Sequence, residues 1–297
     1  MRSRLLVGLA SVLAVSMAAL STPTPVSYAT TTSPITAPAD PQLSVVQPKA
    51  PQVLGPVLFT PAPDDRPKVI DPATYNKYTG PNLSKRVVLT FDDCPRTLTQ
   101  LQAVLDYAAA NNIGLVLAPT GKCFAYFQKK YKVNIAELIR SRGQYAINHS
   151  YSHPNLTKLK KNGTLDVPRV KAQLTTEIKT DYGRPPYGAR NSGVDRVYAS
   201  VGMREWLWNK DTEDWKDKSQ KQIVTYVITH AEAGDTVLMH MQHNAFNPSA
   251  LAAIKAGLEA RKDSSLYLCR PFRGWANPFG APVRVTPVLL GDHAIPC

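Results

Sequence analysis

From about residue 85 onward, short apolar runs alternate with longer segments whose apolar residues recur at helical spacing. The run Arg-Val-Val-Leu-Thr-Phe at residues 86–91 is rich in β-branched residues and predicts a buried strand. In the segment that follows, apolar residues lie three or four positions apart, as in a helix over 98–110. Strand and helix signals then continue to alternate to about residue 268.

This pattern predicts an α/β protein, because repeated strand–helix units form parallel strands with helices packed outside them. Gly143 and Gly234 are predicted to end helices, and Ser219 with Gln222 matches a capping box. The parallel strands form a sheet or a barrel, and ligands bind at their carboxyl ends. We predict strands at 86–91, 113–117, 144–148, 205–209, 235–240 and 266–268, and helices at 98–110, 133–142, 167–178, 194–201, 219–233 and 248–261.

The amino-terminal region has the features of an export signal. Arg2 and Arg4 precede an apolar run at 5–20, which is short for a membrane span, and small residues near Ala29 suit cleavage. We therefore predict a signal peptide at 1–29, a Pro/Thr-rich linker at 30–80 and one domain at 81–297. The protein is expected to be secreted, either extracellular or in the cell wall, without a transmembrane segment.

The chain is strongly basic, with a formal net charge of +13 over 297 residues. Such a charge favours anionic partners, although scattered Lys and Arg also occur on an ordinary soluble surface. We find no Arg-rich helix, Cys/His finger or aromatic RNA-binding motif, so we expect no nucleic-acid partner. An anionic cell-surface polymer is the partner class that also agrees with export.

The four cysteines are even in number, which in an exported chain suggests disulfides. Three pairings are possible, and the spacing does not resemble a zinc finger. We favour one bridge that joins the ends of two neighbouring strands and one that holds the carboxyl-terminal tail. These two pairs are Cys94–Cys123 and Cys269–Cys297.

Two carboxylates stand side by side where the first predicted strand ends, in Thr-Phe-Asp-Asp-Cys-Pro at residues 90–95. Adjacent acids at the end of a core strand repel each other and lose water, which costs free energy unless a positive group lies beside them. Asp92 and Asp93 therefore suggest a metal ion or an arginine nearby. The alternative is an Asp-rich turn that only caps the next helix.

The second polar motif, Asn-His-Ser-Tyr-Ser-His-Pro-Asn at 148–155, places His149 and His153 four residues apart. On a helical turn the two imidazoles would share one face and could bind one ion, although two surface histidines remain the alternative. Together with Asp93 they would form a site of two histidines and one carboxylate. Three protein ligands leave one position open for water, as a hydrolytic metal requires.

Three further motifs follow, and each has an ordinary structural explanation when it is considered alone. Arg-Pro-Pro-Tyr-Gly at 184–188 could be a Pro-Gly turn, Asp-Thr-Glu-Asp-Trp at 211–215 an acidic loop with a buried Trp, and Val-Leu-Met-His at 237–240 a strand ending in a core histidine. Their order along the chain carries more information than any one of them.

The five motifs, over roughly residues 85–272, resemble the polysaccharide deacetylases of carbohydrate esterase family 4, the NodB-homology domain. The resemblance implies a distorted (β/α) barrel with about seven parallel strands. Two features depart from the family pattern. Cys94 replaces the usual Gly, and a bridge to Cys123 beside the site could hold that turn. After His240, His243 adds an imidazole without an assigned role where many relatives have an Asp.

The resemblance also implies roles for individual residues. Asp93, His149 and His153 would hold a divalent metal, with Zn²⁺ as the first choice and Co²⁺ or Ni²⁺ as alternatives. Asp92 would be the general base. Arg184 would form an ion pair with Asp92, and the backbone N–H of Tyr187 would bind the oxyanion. His240 would donate a proton. Asp214 would support both Arg184 and protonated His240, and Trp215 would form an apolar wall.

The function implied is that of a secreted, metal-dependent hydrolase that removes N-acetyl, and as a further option O-acetyl, groups from glycans. Peptidoglycan is the first expected substrate, chitin oligomers the second and acetylated xylan the third, and we expect a monomer. One alternative is a catalytically silent, cell-wall carbohydrate-binding module with the same fold. Another is a metal peptidase, but His-Glu-x-x-His is absent from the sequence.

Overall fold

A sheet of five parallel strands lies at the centre of the structure, a computed structural model that describes residues 70–262, 265–273, 275–276, 282–283, 294–295 and 297. The predicted signal peptide at 1–29 and residues 30–69 of the predicted linker lie outside these described residues. None of the described helices is both long and apolar enough to cross a membrane.

Strands and helices alternate along most of the described chain, as the sequence pattern predicts. The strands are β1 (Val88–Asp93), β2 (Leu115–Pro119), β3 (Tyr145–Ala146), β4 (Lys160–Lys161), β5 (Thr164–Leu165), β6 (Tyr182–Gly183), β7 (Arg204–Glu205), β8 (Lys210–Asp211), β9 (Thr236–His240), β10 (Trp275–Ala276) and β11 (Pro282–Val283). The helices are α1 (Leu98–Ala110), α2 (Gly121–Tyr131), α3 (Ile135–Ser141), α4 (Val167–Leu174), α5 (Ser192–Ser200), α6 (Gln220–His230) and α7 (Pro248–Glu259).

The central sheet has the strand order β3-β2-β1-β9-β8, and all its pairs are parallel. β1 is therefore an inner strand, and apolar clusters cover both of its faces, which explains why residues 88–91 are buried. β6 and β7 form a separate parallel pair, while β4–β5 and β10–β11 are antiparallel.

The prediction of a barrel with about seven parallel strands needs correction. The parallel α/β sheet is present, but the described strands do not close into a barrel. β6 and β7 are only two residues long, and a single bridge between Asn148 and Gly183 links β6 toward β3. Segments this short form too few backbone hydrogen bonds to complete a continuous ladder.

The helix starts agree with the structure better than the helix ends do, since α6 ends at His230, before the predicted end at Gly234. The side chain of Thr97 accepts a hydrogen bond from the N–H of Gln100 at the start of α1, and Ser219 with Gln222 forms the predicted capping box of α6. The helix α2 was missed. Its buried residues are Gly121, Cys123 and Phe127, which form too weak an apolar pattern to stand out.

Two strand predictions also differ from the structure, and the strand β6 was not predicted. Of the predicted strand at 205–209 only residue 205 is in a strand, because β7 ends there and β8, which pairs with a different neighbour, begins at Lys210. The predicted strand at 266–268 is reduced to one bridge between Val87 and Leu268. The two-residue strand β6 was missed because so short a segment leaves no periodic signal.

Side-chain alternation along β1 divides the apolar core into two parts. Leu89 and Phe91 belong to the larger cluster, which the outer helices cover, whereas Val88 belongs to a second cluster with Tyr182 and Trp206. Because side chains two apart share a face, residues 88, 90 and 92 point to the same side of the sheet. Thr90 and Asp92 therefore lie above the second cluster, at the carboxyl end of the strand.

Residues 70–80, which we predicted as the end of the linker, pack against this second cluster. Ile70 is buried, and the Tyr75 hydroxyl donates a 2.6 Å hydrogen bond to the carbonyl of Glu205. Gly80 has φ +61°, and a Cβ placed on it would lie 2.2 Å from atoms of the Trp206 ring. A side chain at position 80 would therefore force the ring to move.

Both favoured disulfides are present. Cys94 bonds to Cys123 and joins the residue after β1 to the first turn of α2. Cys269 bonds to Cys297, so the last residue of the chain is tied to the segment beside β1.

Candidate metal centre and active site

Asp92 and Asp93 occupy the carboxyl end of β1, where the sheet places several polar groups. Asp92 lies opposite His240 of β9, and Asp93 lies opposite Pro119 of β2. Asp92 is 2% exposed. Asp93 has a left-handed backbone with φ 74°, which ends the extended conformation of the strand. The two neighbouring carboxylates consequently have different surroundings.

The fully buried Arg184 provides the positive charge beside Asp92. Its Nη1 donates to Oδ1 of Asp92 at 2.7 Å and to Oγ1 of Thr90 at 2.8 Å. Its Nε and Nη2 donate to the carbonyls of Trp206 and Leu207, each at 2.9 Å. A buried guanidinium with this many acceptors is held in one orientation, so it fixes Oδ1 of Asp92 and leaves Oδ2 uncommitted to this contact.

The histidine motif forms a tight loop and not the helical turn that its spacing suggested. Ser150 and His153 both have φ 60°, and the N–H of His153 donates to Oγ of Ser150 at 3.1 Å. The loop brings the rings of His149 and His153 to a centroid distance of 4.9 Å. The two imidazoles are therefore close together, as predicted, but the backbone between them is a loop and not a helical turn.

The contact of His149 with the backbone determines which ring nitrogen faces the site. Nδ1 of His149 lies 2.8 Å from the carbonyl oxygen of Arg184. A carbonyl only accepts, so Nδ1 carries the proton and the lone pair of the neutral ring is on Nε2. This outer contact is typical of histidines that bind metals.

Three ligand atoms converge at this point. Nε2 of His149 and Nε2 of His153 lie 3.7 Å and 3.5 Å from Oδ1 of Asp93, and the ligand atoms of the three residues are all within 4.8 Å of one another. Two bonds of about 2.0–2.1 Å at a tetrahedral angle would separate two ligand atoms by about 3.3 Å. The donor set and its spacing therefore fit a divalent ion such as zinc.

The second oxygen of Asp93 has a partner that sequence reasoning missed. Nε2 of Gln242 donates to Oδ2 of Asp93 at 2.7 Å. Burial acts to raise the pKa of Asp93, but the nearby His149 and the Gln242 amide act against it, and the net pKa is below its usual value. Asp93 is thereby kept ionised, with Oδ1 facing the two imidazoles.

His240 and Asp214 form a second polar pair beside Asp92. Nδ1 of His240 lies 2.7 Å from Oδ1 of Asp214, and the backbone N–H of His240 donates to Oδ2 at 2.8 Å. Burial lowers the pKa of His240, but Asp214 and Asp92 raise it more, so the net pKa is above its usual value. Both oxygens of Asp214 contact His240. The Arg184 guanidinium donates to Thr90, Asp92 and two backbone carbonyls, so these contacts support the implied role of Asp214 toward His240 but not the one toward Arg184.

Two exposed aromatic residues, Tyr187 and Trp215, lie beside residues of the candidate site. Tyr187 is 68% exposed, its backbone is left-handed with φ 62°, and its ring lies 4.6 Å from the His153 ring. Trp215 follows Asp214 in the chain and is 52% exposed. An exposed Trp differs from the buried one that a purely structural acidic loop would contain.

The comparisons with known proteins agree with this arrangement. The family model described as "Polysaccharide deacetylase" matches residues 79–206, which include the acid pair, the histidine loop, Arg184 and Tyr187. The chain belongs to the polysaccharide deacetylase family. The matched part ends before Asp214 and His240. The assignment of these two residues to the site therefore depends on the geometry of the structure and on the order of the motifs.

Relatives of this deacetylase-family chain include two bacterial proteins. The peptidoglycan-N-acetylmuramic acid deacetylase PdaC of Bacillus subtilis is 32% identical over 159 residues, which are 52% of this chain and 32% of the relative. The chain thus spans about a third of that relative's length. A peptidoglycan-N-acetylglucosamine deacetylase of Bacillus cereus is 27% identical over 204 residues, 68% of this chain and 93% of the relative.

A solved structure supports the fold of the polysaccharide deacetylase family. The family 4 carbohydrate esterase of Streptomyces lividans, in complex with acetate, superposes with a TM-score of 0.50 at 24% identity. The match covers 67% of this chain and 97% of that esterase. At this identity the likeness concerns the fold.

The two departures from the family pattern lie beside the deacetylase-family site. Cys94 follows Asp93 directly, and its disulfide partner Cys123 is held at the start of α2, where its N–H donates to Oγ1 of Thr120 at 3.1 Å. The His243 ring lies 5.8 Å from the His240 ring. Gln242 could have been suspected only from its position two residues after His240, because a lone Gln carries no motif signal.

Proposed function

We propose that this chain is a metal-dependent deacetylase that hydrolyses N-acetyl groups of cell-wall glycans. The observation that carries the proposal is that two adjacent carboxylates, Asp92 and Asp93, face the same space but have different partners. Asp93 faces two imidazoles that fit a metal ion, while Oδ2 of Asp92 lies 3.6 Å from Nε2 of His149 and points toward the same space. A base beside a candidate metal site is the arrangement that water activation requires.

The metal site would supply a Lewis acid that lowers the pKa of a water molecule from 15.7 toward about 7. Zn²⁺ is our first choice for a site of two histidines and one carboxylate, with Co²⁺ and Ni²⁺ as alternatives. Asp93, His149 and His153 would hold the ion, and Gln242 would orient Asp93.

Asp92 would take the proton from the attacking water at Oδ2. Arg184 fixes Oδ1 of Asp92 through a buried ion pair. On the opposite side of the reaction, His240 would act in its doubly protonated form, because the charges of Asp214 and Asp92 favour the imidazolium; Nδ1–H is directed to Asp214, and Nε2 would carry the proton to be transferred. Transfer of the Nε2 proton to the leaving nitrogen turns a poor leaving group into a neutral amine.

The substrate carbonyl would face the candidate metal site and accept a hydrogen bond from the backbone N–H of Tyr187. The left-handed conformation at Tyr187 costs free energy for a residue with a side chain, and strain of this kind is found at functional sites. The exposed Tyr187 and Trp215 rings would contact the faces of the sugar or the acetyl methyl group.

Peptidoglycan is the substrate that we favour, followed by chitin oligomers and then by acetylated xylan. Two observations support this order: the names of the two bacterial relatives and the net charge of +13, which suits an anionic wall polymer. We propose that the protein is exported by the signal peptide at 1–29 and acts as a monomer outside the cytoplasm.

A catalytically silent wall-binding module is the alternative of a different class. It predicts a missing base or a missing ligand, whereas Asp92 and the three ligand residues are all present and close together. No contact among the described residues favours this alternative.

One experiment tests the proposal. Purified protein is analysed for bound metal and then assayed for acetate release from peptidoglycan, chitin oligomers and acetylated xylan, with and without a chelator. We expect one equivalent of metal, and acetate release that stops with the chelator and returns with Zn²⁺. Acetate release that continues in metal-free protein would overturn the metal-dependent mechanism, and no release from any glycan would overturn the deacetylase proposal.

A further inference from the structure

A second cavity lies away from the candidate metal centre, between the segment 75–78, the helix α5 and the strand β7. Its volume is about 460 Å³, which is within the range of cavities that hold small ligands. None of the residues that we assign to metal binding or hydrolysis lines this cavity, which is therefore separate from the candidate active site.

The lining of this cavity collects buried polar atoms that have no hydrogen-bond partner in the described part of the chain. They are Oδ1 of Asp195, the hydroxyl of Tyr198, Nη1 of Arg204 and Oε1 of Glu205. Tyr198 is 1% exposed and Glu205 is 8% exposed. Leaving buried polar atoms unpaired costs free energy, so the Tyr198 hydroxyl and Nη1 of Arg204 in particular indicate that something else completes their bonds.

The remaining contacts of these residues hold the unpaired atoms in place. Arg190 donates from Nε to Oε2 of Glu205 at 3.0 Å, and its Nη2 is paired with Oδ2 of Asp195. Each carboxyl group therefore has one oxygen bonded to Arg190, and the two carboxyl groups also interact with each other. The Arg204 guanidinium stacks on the Tyr75 ring, with Cζ 5.2 Å from the ring centroid. The polar atoms are preorganised and not loose surface groups.

The chemistry of the lining suits a ligand with several hydroxyl groups. Three basic side chains, of Lys77, Arg190 and Arg204, and the two carboxyl groups of Asp195 and Glu205 surround the cavity, so hydrogen-bond donors and acceptors both face it. A hydroxyl group can donate to a carboxylate and accept from Arg204 or Tyr198, and the Tyr75 and Tyr78 rings offer apolar faces beside them.

We propose that this cavity is a second carbohydrate-binding site, which holds one pyranose unit of a glycan chain. The identity of that glycan as a wall polymer rests on the proposed function. A polymer held at two places on one protein is bound more tightly than at either site alone, because the second contact becomes intramolecular. The cavity would keep the chain on its polymer between successive hydrolytic events.

The test uses the full chain and two variants of the cavity. Tyr198→Phe removes one unpaired hydroxyl and leaves the ring. Ala199→Leu enlarges an exposed residue that lines the cavity, and Ser200→Leu, the next residue on α5 and not part of the lining, is its matched control. Binding isotherms on insoluble peptidoglycan and acetate release from a soluble N-acetylglucosamine dimer are measured for each protein, and the melting temperature confirms folding.

We expect Tyr198→Phe to bind the polymer about tenfold more weakly, the effect of one lost hydrogen bond, and Ala199→Leu to bind it at least as weakly, because the larger side chain would occupy part of the cavity. Acetate release from the dimer and binding by Ser200→Leu should match the unchanged protein. Equal isotherms for all four proteins would overturn the second site and mean that the cavity holds only water.

The two proposals fail in different ways. If the dimer releases acetate but polymer binding does not depend on Tyr198 or Ala199, the second site is refuted and the deacetylase proposal stands. If no acetate is released but polymer binding depends on both residues, the hydrolytic proposal is refuted and the binding site stands. A chain that binds no polymer at all refutes the second site whatever its activity on the dimer.

Discussion

The side-chain amide of Gln242 donates a 2.7 Å hydrogen bond to Oδ2 of Asp93, a residue 149 positions away in the chain. The bond holds the carboxylate so that its other oxygen faces His149 and His153. Outer contacts of this kind stabilise the orientation of a ligand and raise metal affinity.

Replacing Gln242 by Leu should therefore weaken Zn²⁺ binding by about 10- to 100-fold, as is typical when an outer contact of a ligand is lost. The measurement is chelator competition on the purified protein, with Asn244→Leu as a nearby exposed control. At saturating zinc, kcat should stay near that of the unchanged protein. Equal zinc affinity in both variants would show that Asp93 needs no such support.

Asp92→Asn should retain bound metal and lose at least about 100-fold in kcat, because the amide cannot take a proton from water. Arg184 is fully buried and would lose its counter-charge, so a lower melting temperature is also expected. Activity must be expressed per folded molecule. Turnover close to that of the unchanged protein would refute the assignment of Asp92 as the base.

His149→Ala should lose the metal, because Nε2 of this buried side chain is one of the three proposed ligand atoms. His230→Ala is the matched control, since His230 lies on the exposed surface of α6. Metal content is measured by elemental analysis after gel filtration. A full equivalent of metal in the His149 variant would contradict the ligand set.

The pH dependence follows from the raised pKa of His240. The acid must be protonated, so kcat should fall as the pH rises through that pKa, which lies above the usual value of about 6.5. Asp214→Asn removes the main stabilising charge, so this fall should move to lower pH. By linkage, the contribution of His240 to folding stability is also present at low pH and is lost as the pH rises through its folded pKa. A profile that does not move in the Asp214 variant would exclude His240 as the titrating group.

The bridge between Cys94 and Cys123 closes a loop with a sequence separation of 29. Replacing both cysteines by Ser should reduce the free energy of unfolding by about 3 to 4 kcal/mol, the amount expected for a loop of this size. Urea denaturation measures the change. Since Cys94 follows Asp93, zinc affinity should fall as well; an unchanged affinity would mean that the bridge acts on overall stability alone.

Local sequence signals determined much of the architecture. The apolar run of β1, the helix α1 over 98–110 and the capping box at Ser219 require only neighbouring residues, and the structure has them where the sequence places them. The signal failed for α2 and for the two-residue strands, because tertiary contacts stabilise these segments and their own periodicity is weak.

The sequence by itself also determined which residue types gather at the site: two adjacent carboxylates, two histidines, a buried Arg and a His that ends a strand. Only the tertiary structure decided which contacts each of these residues makes. The alternation of β1 and the left-handed turn at Asp93 give the two acids different partners, the carbonyl of Arg184 sets the tautomer of His149, and Gln242 reaches Asp93 from another strand end. These contacts join residues far apart in the chain, so their geometry depends on the packing of the whole sheet and carries no local signal.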